Sequence, residues 1–399
     1  MGWPAHCLER NLVIVVSPMT CRLVALDLAP GPEFVGQLQR IWDDGDAVLP
    51  IDQRLPAQAK FQLLEAMRPA SIVTAQGESS RGRGVPCLPG DALVVPTSGT
   101  SGLPKGAVLT HAAVAASAEA TSARIGIDPH RHHWLSCLPL AHIGGLSVVT
   151  RALHTGTPLT VLPNFDAGVV NSAPSQGATH TSLVVSALAR IDPSRWECIV
   201  VGGSAMPSDL PSNTLRTYGM TETGSGVVYN GLPLEGVEVR IVHGRIELRG
   251  PMLFRTYRHA DNNGFLTPEG TDPLTLDGWF ATGDEGELAP NGALSVFGRA
   301  GDVIVSGGEK VWPDAVERVL LASPEVLEVA VAGRPDATWG SRVVAWVVPK
   351  DAANPPTLES LRTHTKQSLP AYAAPHHIHL CAALPRTPTG KIQRAQLPD

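Results

Sequence analysis

Ten residues in the first third of the chain combine hydroxyl groups, glycines and a lysine. Residues 97–106 read TSGTSGLPKG, so four hydroxyl side chains, three glycines and Lys105 lie together. Backbone N–H groups freed by glycines, together with a positive charge, suit a polyphosphate. The segment is not a Walker A loop, because Pro104 precedes the lysine where that pattern has glycine. We therefore predict a phosphate-binding loop, with a flexible Ser/Gly linker as the alternative.

Three further segments carry side chains that a bound nucleotide could use. In RTYGMTET, residues 216–223, Tyr218 offers an aromatic face to adenine and Thr221 a hydroxyl to the α-phosphate. Glu222 in the same segment offers oxygen ligands to Mg²⁺. In DGWFATGD, Asp284 is a carboxylate well suited to accept both ribose hydroxyls. These side chains could serve a magnesium–nucleotide complex, and solvated surface charges are the alternative for a lone Asp.

Glycine pairs mark two places where the backbone could approach a ligand closely. CIVVGGSA, residues 198–205, predicts a buried strand that closes on a pair ending at Gly203. A simple tight turn is the alternative for this pair. Gly307 and Gly308 follow a second predicted strand.

One histidine lies in apolar surroundings in WLSCLPLAHIGGL, residues 134–146. A strand is predicted to end at Pro139, and the glycines after His142 open a helix that runs to about residue 154. A lone histidine of this kind is commonly a packed core residue. The alternative is a place in the wall of a substrate pocket.

Alternating predicted strands and helices must position these side chains. Strands are predicted at 12–16, 23–26, 47–51, 92–95, 159–162, 178–185, 198–202, 303–305, 326–333 and 343–348. Helices are predicted at 33–42, 57–67, 112–123, 313–321 and 358–369, a surface loop at 76–89, and a hairpin at 227–237. The phosphate loop would then join a strand to a helix. Residues 237–257 alternate strands with turns, which indicates a small β subdomain.

The motifs, in their order, resemble those of the adenylate-forming superfamily of acyl- and aryl-CoA ligases, peptide-synthetase adenylation domains and luciferases. The forms [ST][ST]G[ST][ST]GxPKG, YGxTE, GWxxTGD and PxTxxGK are all present, the last at residues 385–391. The resemblance covers nearly everything from about Ala92 to the end of the chain. The segments LPLAHIGGL and VVYNGLPLEGV are similar to those of o-succinylbenzoate–CoA ligases, the latter to actinobacterial ones.

The resemblance implies a role for each matching residue. The catalytic residues would be Lys391, Thr221 and Glu222, with Glu222 also holding Mg²⁺. The nucleotide and CoA contacts would be Thr97, Ser98, Gly99, Thr100, Ser101, Gly102, Lys105, Gly203, Ser204, Tyr218, Gly219, Asp284, Arg299, Gly307 and Gly308. The substrate pocket would contain His142, Gly144, Gly145 and Gly226.

The resemblance also implies an α/β fold in two parts. Residues 1–297 would form a large N-terminal adenylation lobe of doubly wound sheets plus a small β subdomain, shortened at its start. Residues 298–302 would be a hinge, and residues 303–399 a small mobile α+β domain. The pivot position, usually Asp or Lys in the family, is Gly301 here.

The composition excludes several other classes of protein. The net charge of −6 and the pI near 6.2 show no excess of basic residues, so we expect no binding to nucleic acid. Six scattered cysteines without a CxxC pair predict reduced thiols rather than a zinc site or disulfide framework. No apolar run reaches ~18 residues, so we expect no membrane span and a cytoplasmic protein. A homodimer is one option for its assembly.

The expected function is ATP-dependent ligation of a small-molecule carboxylic acid to CoA, with Mg²⁺, through an acyl-adenylate. The best candidate acid is o-succinylbenzoate, in menaquinone biosynthesis. Three alternatives stay open: a CoA ligase for another aryl or acyl acid in secondary metabolism, an adenylation enzyme that loads a carrier protein, and a non-catalytic relative that binds a nucleotide. No carrier segment is evident in the chain, and no Asp that could hold a substrate ammonium group lies near His142.

Overall fold

The computed structural model describes residues 21–82, 84–97, 104–203, 210–258, 273–386 and 392–398. Its α-helices are α1 Pro32–Asp43, α2 Ala57–Met67, α3 His111–Ile125, α4 Ile143–Thr155, α5 Ala167–Ser172, α6 Val185–Leu188, α7 Pro313–Leu321 and α8 Leu358–Lys366.

The strands divide among five sheets. In chain order they are β1 Leu23–Leu26, β2 Ala47–Pro50, β3 Ser71–Thr74, β4 Gly77–Ser80, β5 Asp91–Thr97, β6 Lys105–Thr110, β7 Trp134–Ser136, β8 Leu159–Val161, β9 His180–Val184, β10 Cys198–Gly202, β11 Thr214–Met220, β12 Ser225–Tyr229, β13 Leu232–Pro233, β14 Glu238–Val242, β15 Arg245–Arg249, β16 Thr256–Arg258, β17 Phe280–Leu288, β18 Leu294–Arg299, β19 Ile304–Ser306, β20 Glu309–Val311, β21 Val326–Asp336, β22 Gly340–Pro349 and β23 His377–Leu380.

The first sheet has the strand order β16-β6-β5-β2-β1-β3-β4. Its centre is parallel, with β1 between β2 and β3, and its outer pairs are antiparallel. All residues of β1 and β2 are buried, as their continuous apolar runs predict. The predicted loop at 76–89 is wrong in part, because β4 lies within it and pairs with β3. The residues of β4 are exposed and polar, so they carry no apolar alternation. The strand predicted at 12–16 lies outside the described residues.

The second sheet has the order β13-β12-β11-β10-β9-β7-β8. Its strands from β8 to β11 are parallel, and α4 packs on β7 and β9. The predicted hairpin at 227–237 is confirmed: β12 pairs antiparallel with β13 through a turn in which Asn230 and Gly231 have φ of 50° and 83°. The doubly wound α/β interpretation of the large lobe is therefore confirmed.

The third sheet is the predicted small β subdomain, with the order β14-β15-β17-β18 and antiparallel pairing throughout. One part of that prediction is wrong. The run up to residue 257 does not stay in the subdomain, because β16 crosses back to pair with β6 at the edge of the first sheet. Only this tertiary pairing brings Tyr257 next to the strand that carries Lys105.

The last segment of the chain forms a small α+β unit, as predicted. β19 and β20 form a hairpin, and β21, β22 and β23 form a three-stranded sheet. Helices α7 and α8 pack together, and both contribute to the apolar core over this sheet. Among the described residues, no helix has the length and apolar character needed to cross a membrane.

Candidate active site

Lys105 begins β6, and the predicted phosphate loop connects the two strands of a hairpin. β5 and β6 are antiparallel, with Thr97 opposite Lys105. Helix α3 begins only at His111, where the Thr110 side chain caps it. The prediction that the loop leads directly from a strand into a helix is therefore wrong. Residues 106–109, GAVL, continue the sheet because their side chains are buried within it.

Five of the predicted phosphate contacts lie in residues 98–103, which are outside the described residues: Ser98, Gly99, Thr100, Ser101 and Gly102. Thr97 and Lys105 flank that segment, and both are half-buried.

Lys105, Tyr257 and Glu222 form a continuous cluster. The Lys105 Nζ lies 3.6 Å from the centroid of the Tyr257 ring, and the Tyr257 hydroxyl donates a hydrogen bond of 2.7 Å to Glu222 Oε1. Tyr257 on β16 lies opposite Ala107 on β6. Alternate residues of a strand share one face, so Lys105 and Ala107 project to the same side, where the ring lies.

The charges in this cluster alter the pKa of its members. Burial lowers the pKa of Lys105, Glu222 opposes that change, and Arg299 lowers the pKa further. Burial and the negative charge of Glu222 raise the pKa of the Tyr257 phenol well above its usual value. The phenol therefore stays protonated and donates to Glu222 at neutral pH. The Lys105 amine suits the negative charge of a phosphate, and the Glu222 carboxylate suits a metal ion bound to that phosphate.

Asp284 is the centre of a second cluster. It is only 6% exposed, yet both of its oxygens have partners. The Tyr218 hydroxyl donates to Oδ2 at 2.7 Å, and Arg299 Nε lies 2.9 Å from Oδ1. β17 and β18 place Asp284 directly opposite Arg299. Burial raises the pKa of Asp284, and Arg299 and Tyr218 oppose that change. A carboxylate has lone pairs left after two such contacts, so ribose hydroxyls could also donate to it.

Glu222 fits the role of a magnesium ligand. It lies with Thr221 in a short 3-10 turn directly after β11, at the carboxyl end of the parallel part of the second sheet. Its Oε1 accepts from Tyr257, and no described residue donates to Oε2. In the described part of the chain, no group of three or more His, Cys, Asp or Glu side chains could hold a metal. One carboxylate suffices for Mg²⁺ when phosphates supply the other ligands.

The two glycines Gly219 and Gly226 let neighbouring strands approach each other. They face each other across β11 and β12 at an irregular register. A Cβ on Gly219 would lie 2.2 Å from the Ser225 carbonyl oxygen, and one on Gly226 would lie 2.8 Å from Thr217 Cβ. Their immediate structural role is thus close strand packing. Gly203, with φ of 96°, follows β10, and the adjacent Ser204 lies outside the described residues.

His142 is paired with a carboxylate from the N-terminal part of the chain. Its Nε2 lies 3.0 Å from Asp52 Oδ2, and Arg54 donates to both oxygens of Asp52, at 2.9 and 2.7 Å. Burial raises the pKa of Asp52, but the hydrogen bonds with His142 and Arg54 lower it by more. The net result is a pKa well below the usual range for aspartate. His142 is partly exposed at the start of α4, and it is not a packed core residue.

The glycines after His142 differ in their surroundings. A Cβ on Gly145 would lie 2.4 Å from the carbonyl oxygen of Leu138, so this glycine allows α4 to pack against the preceding segment. A Cβ on Gly144 would make an ordinary contact at 3.6 Å, and Gly144 is exposed. Gly144 is therefore the better candidate for a pocket wall.

Arg151 is a buried cation on α4 that the sequence analysis did not select. It is 2% exposed, and no carboxylate among the described residues pairs with it. Its Nη2 donates to the hydroxyls of Ser147 and Ser225, and its guanidinium lies 5.5 Å from the Trp134 ring centroid. Its Nε and Nη1 have no hydrogen-bond partner in the described part of the chain. Burial lowers the pKa of Arg151. A buried guanidinium with unpaired N–H groups would be stabilised by an anionic ligand.

The Gly307–Gly308 pair forms the turn between β19 and β20, with φ of 61° and 88°. Lys310 in this hairpin lies 4.0 Å from Glu285, the residue after Asp284, so the hairpin is adjacent to the Asp284 cluster. Gly301 has open space where a Cβ would be. The Asp or Lys that the family resemblance predicts at this position would therefore fit.

Lys391 lies outside the described residues, but the residues on both sides of its segment are fixed. Arg386 and Ile392 form a β-bridge. Arg394 donates to Asp314 and to buried Glu317, at 2.9 and 2.8 Å, and lies 3.5 Å from Asp302. These contacts anchor the residues that follow Lys391 to α7.

Comparison with known sequences and structures identifies the family. The AMP-binding enzyme pattern matches residues 62–258, and the AMP-binding enzyme C-terminal domain pattern matches residues 315–391. The chain belongs to the AMP-binding enzyme family. It is 40% identical to a probable 2-succinylbenzoate–CoA ligase of Mycobacterium tuberculosis over 330 residues, which is 77% of this chain and 83% of the relative.

Solved structures of the o-succinylbenzoate CoA synthetase MenE from Bacillus subtilis resemble this chain. The complex with the acyl-adenylate intermediate OSB-AMP has a TM-score of 0.80 and 26% identity, and the match covers 95% of this chain and 88% of that one. The complex with ATP and a magnesium ion has the same TM-score and identity, with 95% and 89% coverage. These proteins share the arrangement of a large lobe and a small C-terminal domain.

Three residues of the site were missed by the sequence analysis: Tyr257, Asp52 and Arg151. Tyr257 is the middle residue of the short strand β16, Asp52 follows β2, and neither belongs to a quoted motif. Arg151 had a weak signal, because it is a charge within the otherwise apolar and small residues 143–153. A charge on the buried face of a helix is a candidate functional residue.

Proposed function

We propose that this protein is an ATP-dependent acid–CoA ligase that forms an acyl-adenylate and then an acyl-CoA thioester. The observation that carries the proposal is that the Lys105–Tyr257–Glu222 and Tyr218–Asp284–Arg299 clusters lie within electrostatic range of each other. Arg299 lowers the pKa of Lys105, and Glu222 contributes to the raised pKa of Asp284. Family membership supplies the class of reaction.

The chemistry follows from the charges. A carboxylate oxygen of the acid attacks the α-phosphorus of ATP, the bond to the β-phosphate oxygen breaks, and pyrophosphate leaves. Lys105 would contact the β- and γ-phosphates, Glu222 would hold Mg²⁺, and Asp284 would accept the ribose hydroxyls. Mg²⁺, when bound, would offset phosphate charge. The CoA thiol then attacks the acyl carbon, loses its proton, and AMP departs.

We assign 2-succinylbenzoate as the acid, in menaquinone biosynthesis. Support comes from the names of the relatives, which include the mycobacterial and Bacillus subtilis ligases. Independent support comes from Arg151, because an acid with two carboxylates keeps one charge after the other is activated. His142 directly precedes α4 and Arg151 lies within it. We propose that the two groups contact different ends of the acid.

The C-terminal domain would present a different surface to the active site in each of the two half-reactions. Lys391 would serve adenylation, and the Gly307–Gly308 turn would line the path of the CoA thiol after rotation at residues 298–302. The position of this turn beside β17 supports the second role, through the contact between Lys310 and Glu285. We also propose that the protein acts in the cytoplasm, where ATP and CoA are available.

Pyrophosphate release with a panel of acids, with CoA or a carrier protein as acceptor, tests the proposal. We expect release that depends on 2-succinylbenzoate, and a thioester only with CoA. A carrier-dependent product or another preferred acid would replace the assignment, and no release with any acid would refute the ligase activity. Lys391→Ala should abolish adenylation yet still convert a supplied acyl-adenylate to the thioester. Asp284→Ala should weaken ATP binding.

A further inference from the structure

We infer that Tyr257 is a positioning residue that orients Glu222 for the magnesium–nucleotide complex and keeps Lys105 beside it. The inference rests on the proposed function, because it gives Tyr257 a part in binding MgATP. It also goes beyond the roles assigned above, since Tyr257 belongs to none of the motifs that those roles use.

Tyr257 contacts both charged groups through different parts of its side chain. The hydroxyl donates to Glu222 Oε1 at 2.7 Å, and the ring face lies 3.6 Å from Lys105 Nζ. A hydrogen bond to one carboxylate oxygen fixes the plane of the carboxylate. The other oxygen, Glu222 Oε2, then points in a fixed direction and accepts no hydrogen bond from a described residue. It is therefore available to bind a metal ion.

The surroundings of Tyr257 fix its own position. The Phe254 ring packs against it at a centroid distance of 4.7 Å. The next residue, Arg258, is 3% exposed, and its guanidinium donates to four backbone carbonyls, those of Met67, Arg68, Val85 and Pro86. Arg258 therefore anchors the end of β16 to the end of α2 and to the segment before β5. A side chain that is held in this way can transmit its orientation to Glu222.

The cluster keeps Glu222 and Lys105 from pairing directly. Tyr257 contacts Glu222 through its hydroxyl and Lys105 through its ring face, so each charge stays available to the ligand. A lysine amine over an aromatic face is attracted weakly compared with an amine in a buried ion pair. Phosphate oxygens can therefore recruit Lys105 without first breaking a salt bridge.

Tyr257→Phe tests the inference, because it removes only the hydroxyl and keeps the ring under Lys105. Binding is measured by titration calorimetry without the acid, once with MgATP and once with ATP in excess EDTA. We expect about tenfold weaker binding of MgATP, the size of one hydrogen bond to a charged group, and less than a twofold change for metal-free ATP. Tyr372→Phe is the matched control, since Tyr372 is an exposed tyrosine of the C-terminal domain; it should bind MgATP as the wild type does.

A double-mutant cycle with Glu222→Gln separates positioning from a loss of stability. If Tyr257 acts through Glu222, the double variant should bind MgATP no more weakly than Glu222→Gln alone. Additive losses, or unchanged MgATP binding in Tyr257→Phe, would overturn the inference. Failure of the wild type to bind MgATP would instead refute the proposed function, so the two failures are distinguishable.

Discussion

Replacement of Arg151 by methionine should increase the stability of the protein and weaken its binding of the acid substrate. In the wild type, folding removes the guanidinium from water, which costs several kcal/mol for an unpaired ion. The two hydrogen bonds to Ser147 and Ser225 return part of that cost, but Nε and Nη1 remain without partners in the described part of the chain. Methionine has a similar length and no charge. We expect Arg151→Met to raise the free energy of unfolding by about 1–3 kcal/mol.

Thermal unfolding with and without 2-succinylbenzoate provides the assay. For a lobe of this size, the expected gain corresponds to a rise in Tm of about 2–5 °C. The acid should raise the Tm of the wild type more than that of Arg151→Met, and the variant should show at least a roughly tenfold higher KM for the acid. Arg131→Met is the control, since Arg131 is exposed. Its stability should change by less than about 0.5 kcal/mol.

Two results would refute this reasoning. A less stable Arg151→Met would mean that the guanidinium is satisfied in the fold and has a structural role. An equal response of variant and wild type to the acid would mean that Arg151 does not attract a carboxylate of the substrate.

Three other substitutions test charges elsewhere in the molecule. Asp52→Asn should raise the KM for the acid about tenfold and leave the KM for ATP unchanged, because Asp52 accepts from His142 and contacts no predicted nucleotide ligand. Burial and a neighbouring histidine lower the pKa of His180 to about 4, so only the unfolded chain binds this proton between about pH 6.5 and pH 4. Stability should therefore fall by about 3 kcal/mol over that range, and His180→Gln should remove this part of the pH dependence in urea unfolding. Arg394→Met should cost about 3–5 kcal/mol, since it leaves Glu317 buried and unpaired, and Glu317→Leu in the same chain should restore stability.

Each of these has an outcome that contradicts it. An unchanged KM for the acid in Asp52→Asn would separate His142 from the acid pocket. An identical pH profile in His180→Gln would assign the acid sensitivity to other groups. A double variant as unstable as Arg394→Met alone would show that Arg394 stabilises the domain through contacts other than its ion pairs.

The sequence by itself determined the fold class, most of the elements and the family. The continuous apolar runs of β1 and β2 and the helical spacing of α2 and α7 are local signals, and the structure has these elements within a residue of the predicted bounds. The motifs that include Glu222 and Asp284 were also readable, because their chemistry depends on residue types at fixed spacing. Strands without apolar alternation, such as β4, gave no such signal.

Only the tertiary structure decided how the site residues are supported. The chain between Lys105 and Tyr257 is about 150 residues long, and β16 returns to β6 through pairing that leaves no pattern in either strand. Asp52 reaches His142 across 90 positions, and Arg151 lacks a counter-ion only because of what packs around it. Contacts of this kind depend on long-range packing, whose energy is shared among many residues, so no local spacing encodes them.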